Sequence, residues 1–404
     1  MIRLAIICAA LLGSTLSIVS PLYPQDTARA SPTPTRPWYE RLRIRGYGQI
    51  RYNRLLENND QLQCEQCDRS WGTNGGVSIR RARLVLQGQI HPRVAIYLQP
   101  DFANTVGSSA NVVQLRDWYV DLGLSSTNAL RLRLGQSKIP YSYENLQSSQ
   151  NRLPLDRADA TNSAHANERD LGAFLMWAPV HIRERFARLV NDGLKGSGDY
   201  GVLTIGAFNG QTANRPEANN NAHLVARATW PFAFGTQIVE PSLAAYRGEY
   251  VVTAEQRTQG VRGTPDFRYR DERVLMTVAI APRPLGVLAE YNVGRGPEYD
   301  PRTDSIGLRP LRGGFITTTW QVQRDGQLWL PFARYQVYRG GKKHERDARS
   351  YSVNDVELGV EWQPSPAVEV TMAWYRGDRR FEDKTRPSNH QRGRLLRLQL
   401  QFNY

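Results

Sequence analysis

Arginine sets the chemistry open to this chain, because it recurs at alternate positions in several short runs. Arg43, Arg45 and Arg51 form one set, Arg81 and Arg83 a second, Arg131 and Arg133 a third, and Lys138 follows soon after. A guanidinium is planar and always charged, and its paired donors match the oxygens of phosphate or carboxylate. Several along a narrow passage make weak successive sites, so an anion is drawn in without being trapped. The plainer reading of each arginine is structural: paired with a carboxylate, it stiffens a wall and adds little selectivity. Other chemistry has less support. Ser163 lies near His165 and Ser388 near His390, but both pairs fall in polar loops without a supporting pattern, so lipid hydrolysis is not expected. The chain is read as a non-enzyme, with no phosphate-binding glycine loop, no nucleotide signature and no cofactor implied. Cys64 and Cys67 form a single CxxC pair with no nearby histidine, short of the roughly four ligands zinc needs. In an oxidising compartment a local disulfide is the expected state.

The elements that must position the arginines are strands. In residues 394–404, Leu396, Leu398, Leu400, Phe402 and Tyr404 fall on one face and Arg397, Gln399, Gln401 and Asn403 on the other, which is the period of an extended strand. Such a two-sided strand fits a closed β-barrel whose last strand pairs with its first, with lipid outside and water within. Upstream the pattern repeats: Leu42, Ile44, Ile50 and Tyr52 alternate with Arg43, Arg45, Tyr47, Gln49 and Arg51. A lipid-facing arginine near the bilayer middle costs about 2 to 4 kcal/mol, so the arginine faces should look inward. Strands are expected over 42–52, 81–90, 94–101, 117–124, 130–134, 172–178, 201–208, 224–230, 237–250, 273–280, 285–293, 315–322, 328–338, 353–362, 368–374 and 394–404. The fold class is therefore all-β, a transmembrane antiparallel β-barrel of about sixteen strands with long external loops and short periplasmic turns. By the same alternation Glu290, Asp355, Glu357, Glu361 and Glu369 point inward, setting an acidic patch on strands fourteen and fifteen against a basic wall on strands one, two and five. Residues 136–170 form the longest and most polar connection, and two placements stay open for it, over the mouth or folded into the lumen. Residues 180–194 break the strand rhythm with the spacing of a small amphipathic helix.

Composition agrees with this reading. Met1-Ile2-Arg3, an apolar run to residue 19 and Ala28-Arg29-Ala30 resemble a secretory signal over 1–30, too short for a membrane anchor and taking Cys8 with it. Residues 31–404 then form the barrel domain. The mean hydropathy of −0.52 is that of alternating strands, whose apolar residues are diluted by polar neighbours. The chain holds 19 Tyr, 9 Trp and 11 Phe, enough for aromatic girdles at both interfaces. Its net charge of +14 raises nucleic acid as a partner, but the arginines alternate with leucines along strands and do not gather on a helix or arm, so that partner is not expected.

Several motifs, in order, resemble the phosphate-selective porin O and P family of Gram-negative outer membranes. They are Ser78-Ile79-Arg80-Arg81-Ala82-Arg83-Leu84 with Gly88, Tyr97-Leu98-Gln99-Pro100-Asp101-Phe102-Ala103, and Leu115-Arg116-Asp117-Trp118-Tyr119-Val120-Asp121. The most specific is Leu134-Gly135-Gln136-Ser137-Lys138-Ile139-Pro140-Tyr141, and Asn354-Asp355-Val356-Glu357-Leu358-Gly359-Val360-Glu361-Trp362 matches late in the chain. The resemblance implies a sixteen-stranded outer-membrane barrel, usually a homotrimer among outer-membrane lipid. It also implies a constriction loop after strand five, and arginine and lysine side chains, Lys138 among them, that guide phosphate or polyphosphate. Two departures stand out, the 180–194 insertion and the acidic patch. With them in place, a general diffusion porin with weak anion preference is the alternative, and a structural or adhesive barrel with a filled lumen is a third class.

Overall fold

The computed structural model describes residues 37–55, 76–106 and 109–404. Cys64, Cys67 and the segment 1–30 lie outside them. After a short turn of 3-10 helix at Trp38–Arg41 come β1 (Leu42–Leu55), β2 (Val77–His91), β3 (Val94–Val106), β4 (Ser109–Gly123), β5 (Leu130–Lys138), β6 (Arg169–Trp177), β7 (Leu203–Phe208) and β8 (His223–Thr229). β9 (Gln237–Val251), β10 (Arg268–Ile280), β11 (Leu285–Asp300), β12 (Ser305–Trp320), β13 (Gln327–Gly341), β14 (Ser350–Ser365), β15 (Val368–Glu382) and β16 (His390–Asn403) complete the chain. The short pieces Phe232–Phe234 and Val322–Arg324 continue β8 and β12 beside the same neighbours, so the 18-stranded sheet is a sixteen-strand barrel. Each strand is antiparallel to the next, and β16 closes on β1 with Tyr47 opposite Asn403 and Gln49 opposite Gln401. Closure leaves no open edge, which lipid would penalise by several kcal/mol for each unmatched backbone group.

Alternation decides the two faces as the sequence pattern expects. Along β1, Tyr47, Gln49 and Arg51 are buried within the barrel while Ile44 and Ile50 are exposed on the wall. Along β14 and β11, Asp355, Glu357, Glu361 and Glu290 turn inward and are buried. At the end with short turns, Trp177, Phe232, Phe234, Trp320, Trp329, Phe402 and Tyr404 are exposed outward, and Trp329 stacks on Trp362 with ring centres 5.3 Å apart. This is the aromatic girdle of one interface. The opposite end carries the connections 139–168, 209–222 and 252–267, and is the external end.

Strands extend further externally than the alternation suggested. β4 begins at Ser109 where 117 was expected, β12 at Ser305 where 315 was expected, and β15 runs on to Glu382 past 374.

Candidate functional site

The chain leaves the wall at Lys138, opposite Arg169, and the connection 139–168 folds into the lumen. Gly135 makes the exit possible: its φ is +123°, and a Cβ there would lie 2.3 Å from the carbonyl oxygen of Trp118 on β4. Lys138 Nζ donates to the carbonyls of Leu146 at 2.8 Å and Gln147 at 2.7 Å, drawing the loop back over the strand end. Between them lies α1 (Tyr143–Leu146), capped by Ser142 Oγ, which accepts from the Asn145 amide at 3.1 Å. Glu290 on β11 accepts from Ser142 Oγ at 2.7 Å and from the Tyr143 amide at 2.7 Å, holding that turn against the far wall.

Four loop carboxylates latch the rest. Glu144 pairs with Arg334 on β13. Asp156 meets Arg51 at 3.1 Å, Arg80 at 3.4 Å and Arg397 on β16. Asp159 meets Arg379 on β15 at 2.6 Å and Lys342. Glu168 meets Arg157 at 2.9 Å and Arg169 at 3.0 Å. Burial pushes the Asp156 carboxyl up, but Arg51, Arg397 and Arg80 outweigh it and hold it well below the usual carboxylate range. For Glu168, burial likewise opposes and Arg157 and Arg169 prevail, to about 2. Removing one partner of such a buried pair costs about 3–5 kcal/mol, because the other is left uncompensated. Of the two placements the sequence left open, the inward one holds.

The arginines singled out by alternation divide into two groups. Arg51 is latched to Asp156, Arg83 meets Asp101 at 2.7 Å, Arg131 meets Asp199 at 2.7 Å, and Arg133 meets Asp121 at 2.7 Å while lying 3.9 Å over the Tyr119 ring. These four do not form an open row. Arg43 is exposed at the short-turn end of β1. Arg45 and Arg81 meet neutral amides instead of acids: Arg45 reaches Gln150 Oε1 and Gln87 Oε1 at 3.5 Å, and Arg81 donates to Gln49 Oε1 at 2.7 Å. Gln49 in turn donates to the carbonyl of Ser149 at 3.2 Å. The same loop segment brings in Arg152, which alternation on strands could not single out; it donates to the carbonyls of Pro154 and Leu155, both at 2.9 Å. Burial, and then Arg157, weigh against its charge. Arg45, Arg81 and Arg152 thus converge on residues 149–152 with no carboxylate ion pair among the described residues. Arg81 Nε, Arg152 Nη1 and Ser149 Oγ are buried there without a hydrogen-bond partner. Such an arrangement can receive an anion.

A family model described as phosphate-selective porin O and P matches residues 58–404. The chain belongs to that family. The barrel is similar to the outer membrane channel DcaP of Acinetobacter baumannii, with a TM-score of 0.55 at 12% identity over 90% of this chain and 97% of that one. It is also similar to OmpF of Salmonella typhi, with a TM-score of 0.56 at 11% identity over 90% and 97%, and to an anion-selective porin from Comamonas acidovorans, with 0.52 at 9% over 90% and 99%. No curated protein matches the chain in sequence. These likenesses show the fold, and with the family they make the chain an outer-membrane channel.

This porin adds an element from the short-turn side. α2 (Asp159–Asn162) belongs to the inward loop 139–168, and α3 (Val180–Asn191) is the amphipathic helix expected over 180–194. Ile182, Phe186 and Leu189 on one helical face pack with Leu194, Val202 and Ala281 against the barrel mouth. The chain then turns into the lumen. Lys195 reaches Glu361 on β14 at 2.6 Å, and its carbonyl accepts from Gln147 at 2.5 Å and from the Tyr143 hydroxyl at 3.3 Å. Asp199 ties the segment back to Arg131 and to Arg183 of α3, at 2.7 and 2.9 Å. The insertion therefore meets the inward loop 139–168 within the lumen. Near the loop's other end Ser163 donates to the Ala160 carbonyl, and His165 lies among the rings of Tyr141, Phe208 and Tyr246, so the two do not pair. Among the described residues no group of His, Cys, Asp and Glu could hold a metal ion.

Proposed function

We propose that this porin passes small anions by passive diffusion, phosphate or polyphosphate foremost, past the constriction loop. The observation that carries the reading is the convergence of Arg45, Arg81 and Arg152 on loop residues 149–152 without a carboxylate. Elsewhere in the lumen arginines neutralise acids; here three guanidiniums have only amide and carbonyl partners, so an anion gains their charge without displacing a rival. Arg43 at the periplasmic mouth and Lys138 at the loop root add to the basic side, while Arg51, Arg83, Arg131 and Arg133 hold its shape. The anion selectivity named for the Comamonas acidovorans porin is in keeping with this.

The test is single-channel reversal potential in a planar bilayer under a potassium chloride gradient, repeated with phosphate. The expected result is anion selectivity with chloride current blocked by low phosphate. Large, weakly selective steps indifferent to phosphate would overturn it in favour of a general diffusion porin. That second reading is favoured by one feature, the acidic Glu361 and Glu369 of β14 and β15, which lie beside the basic side on the same wall: Glu369 is opposite Gln401, Gln401 opposite Gln49 and Gln49 opposite Arg81. Export through residues 1–30 and assembly as a homotrimer complete the proposal; N-terminal sequencing of the mature protein and its assembled mass in detergent check them.

A further inference from the structure

The outer wall carries a second population of arginines, which the channel reading does not use. Arg247 on β9, Arg270 on β10, Arg312 on β12, Arg339 on β13 and Arg376 on β15 are exposed on the lipid side of their strands. None has a carboxylate ion pair among the described residues. They cluster toward the external end of β9 to β16. The outward faces of β2 to β8, by contrast, present Val113, Leu115, Trp118, Leu134, Leu171, Ile205 and Leu224, and among the described residues no arginine.

Register joins these arginines into a row. Arg247 stands opposite Glu272 and Glu272 opposite Arg295. Arg312 stands directly opposite Arg339, and Arg339 opposite Ser352, which is itself opposite Arg380. Arg376 stands directly opposite Arg394. Like charges directly opposite on antiparallel strands repel, and this wall places them so twice. Four acids face the same way: Glu272 takes Arg295 at 2.5 Å, Asp378 takes Arg392 at 2.9 Å, and Glu249 and Glu382 lie 3.8 Å from Arg268 and Arg380. They are fewer than the arginines, and none of them pairs with Arg312 or Arg339. The row also has a definite depth. Val293, Val337, Trp374 and Leu396 lie two residues, about 7 Å, nearer the membrane middle than Arg295, Arg339, Arg376 and Arg394, so the charges begin where the apolar band stops.

We propose that this row is a binding site for the phosphorylated head groups of the outer-leaflet glycolipid. A phosphate between Arg312 and Arg339 accepts from two guanidinium forks and turns a repulsive pair into a bridged one. The acyl chains of the same lipid then lie along the apolar band beneath. Only a lipid supplies both contacts at that depth, and half the circumference is prepared for it.

The test uses the full-length protein purified in detergent, titrated with bis-phosphorylated lipid A, with bound lipid counted by native mass spectrometry. R312Q/R339Q is expected to weaken binding by about tenfold or more and R376Q, further along the row, by about fivefold, with the folded barrel confirmed by its heat-dependent mobility and pore conductance unchanged. Dephosphorylated lipid A should bind the wild-type protein no better than lipid A binds the variants, and millimolar inorganic phosphate should not displace the bound lipid. Unchanged lipid binding by both variants overturns the proposal. So does loss of subunit assembly with lipid binding intact, which would make the row a contact between copies, and so does displacement by inorganic phosphate alone. If the glutamine variants do not fold, R312K/R339K carries the test: it keeps charge but loses the fork, so a loss of a few-fold is expected and no loss overturns the site.

Discussion

The arginines inside this barrel and those on its outer wall live under opposite rules. Inside, Arg83, Arg133, Arg273 and Arg379 are buried, and each sits within 3.1 Å of a carboxylate. Outside, Arg247, Arg270, Arg312, Arg339 and Arg376 are exposed and have none among the described residues. A buried charge without a partner is too costly to keep, so the lumen brings an acid for nearly every arginine, whereas an exposed one can wait for a ligand. The net charge of +14 is therefore a poor guide to the field inside the pore. Selectivity has to come from the few lumen cations that escape pairing.

The comparison is broken most forcefully at Asp156, where one loop carboxylate serves Arg51, Arg80 and Arg397. Asp156→Asn leaves buried guanidiniums uncompensated, at a cost of about 3–5 kcal/mol. Lower resistance to urea unfolding, faster proteolysis within 139–168 and a reversal potential shifted toward anions are expected together. Unchanged stability would mean that the latch is ornamental. A smaller effect is expected where no acid is involved. Arg81→Gln or Arg152→Gln removes a charge-assisted contact of about 1.5–3 kcal/mol to a bound anion. Phosphate block should then weaken by about tenfold or more, with urea stability almost unmoved. A large loss of stability instead would show that these two are structural, like their paired neighbours.

Much of this architecture is legible in the chain because Leu and Val alternate with Arg and Gln wherever one face meets lipid. The same logic explains what could not be read. Where β15 passes Trp374, its outward face becomes Arg376, Asp378 and Arg380, so contrast between the faces vanishes and the strand seems to end early. β12 hides its first half for a similar reason, with Arg309 and Arg312 among its early residues. The arginine row and the missing strand ends are thus one omission. Pairing inside the lumen is only half visible. Asp121 and Arg133 stand opposite each other on adjacent strands and follow from the hairpin, whereas Asp156 meets Arg51 and Arg397 through a loop with no period to read. Arg152, in the same loop, has no period to mark it either.

Acid should separate the two populations again. Glu168 is held at about 2 by Arg157 and Arg169 against burial, and Asp156 well below its ordinary value of 3.8. A depressed carboxylate contributes stability that is complete above its unfolded value and is lost as pH falls through the folded one. The hold that Asp156 and Glu168 exert on the loop should therefore be complete from pH 8 down to about 5.5, a unit above the ordinary glutamate value, and be lost only between there and about 2, with selectivity following it. Reversal potentials across that range decide it. A transition near pH 6 would mean that another group controls the loop.

The smallest effect is the most discriminating, because its sign should depend on the solvent. In detergent without phosphorylated lipid, Arg312→Gln removes one member of an opposed like-charge pair and exposes no buried group. The change should be slightly stabilising, about 0.2–1 kcal/mol. In liposomes whose lipid carries phosphate, the same substitution removes half of a fork-on-fork contact and should destabilise by a similar amount, near 1 kcal/mol per charge. A lumen substitution such as Arg83→Gln has no such reversal available, since Asp101 is part of the protein and is left with Arg116 alone, at 3.4 Å, in either medium. Urea midpoints of both variants in both media therefore test whether the wall arginines are partners of the membrane in the way the lumen arginines are partners of the chain. The same sign in both media for Arg312→Gln would remove the distinction.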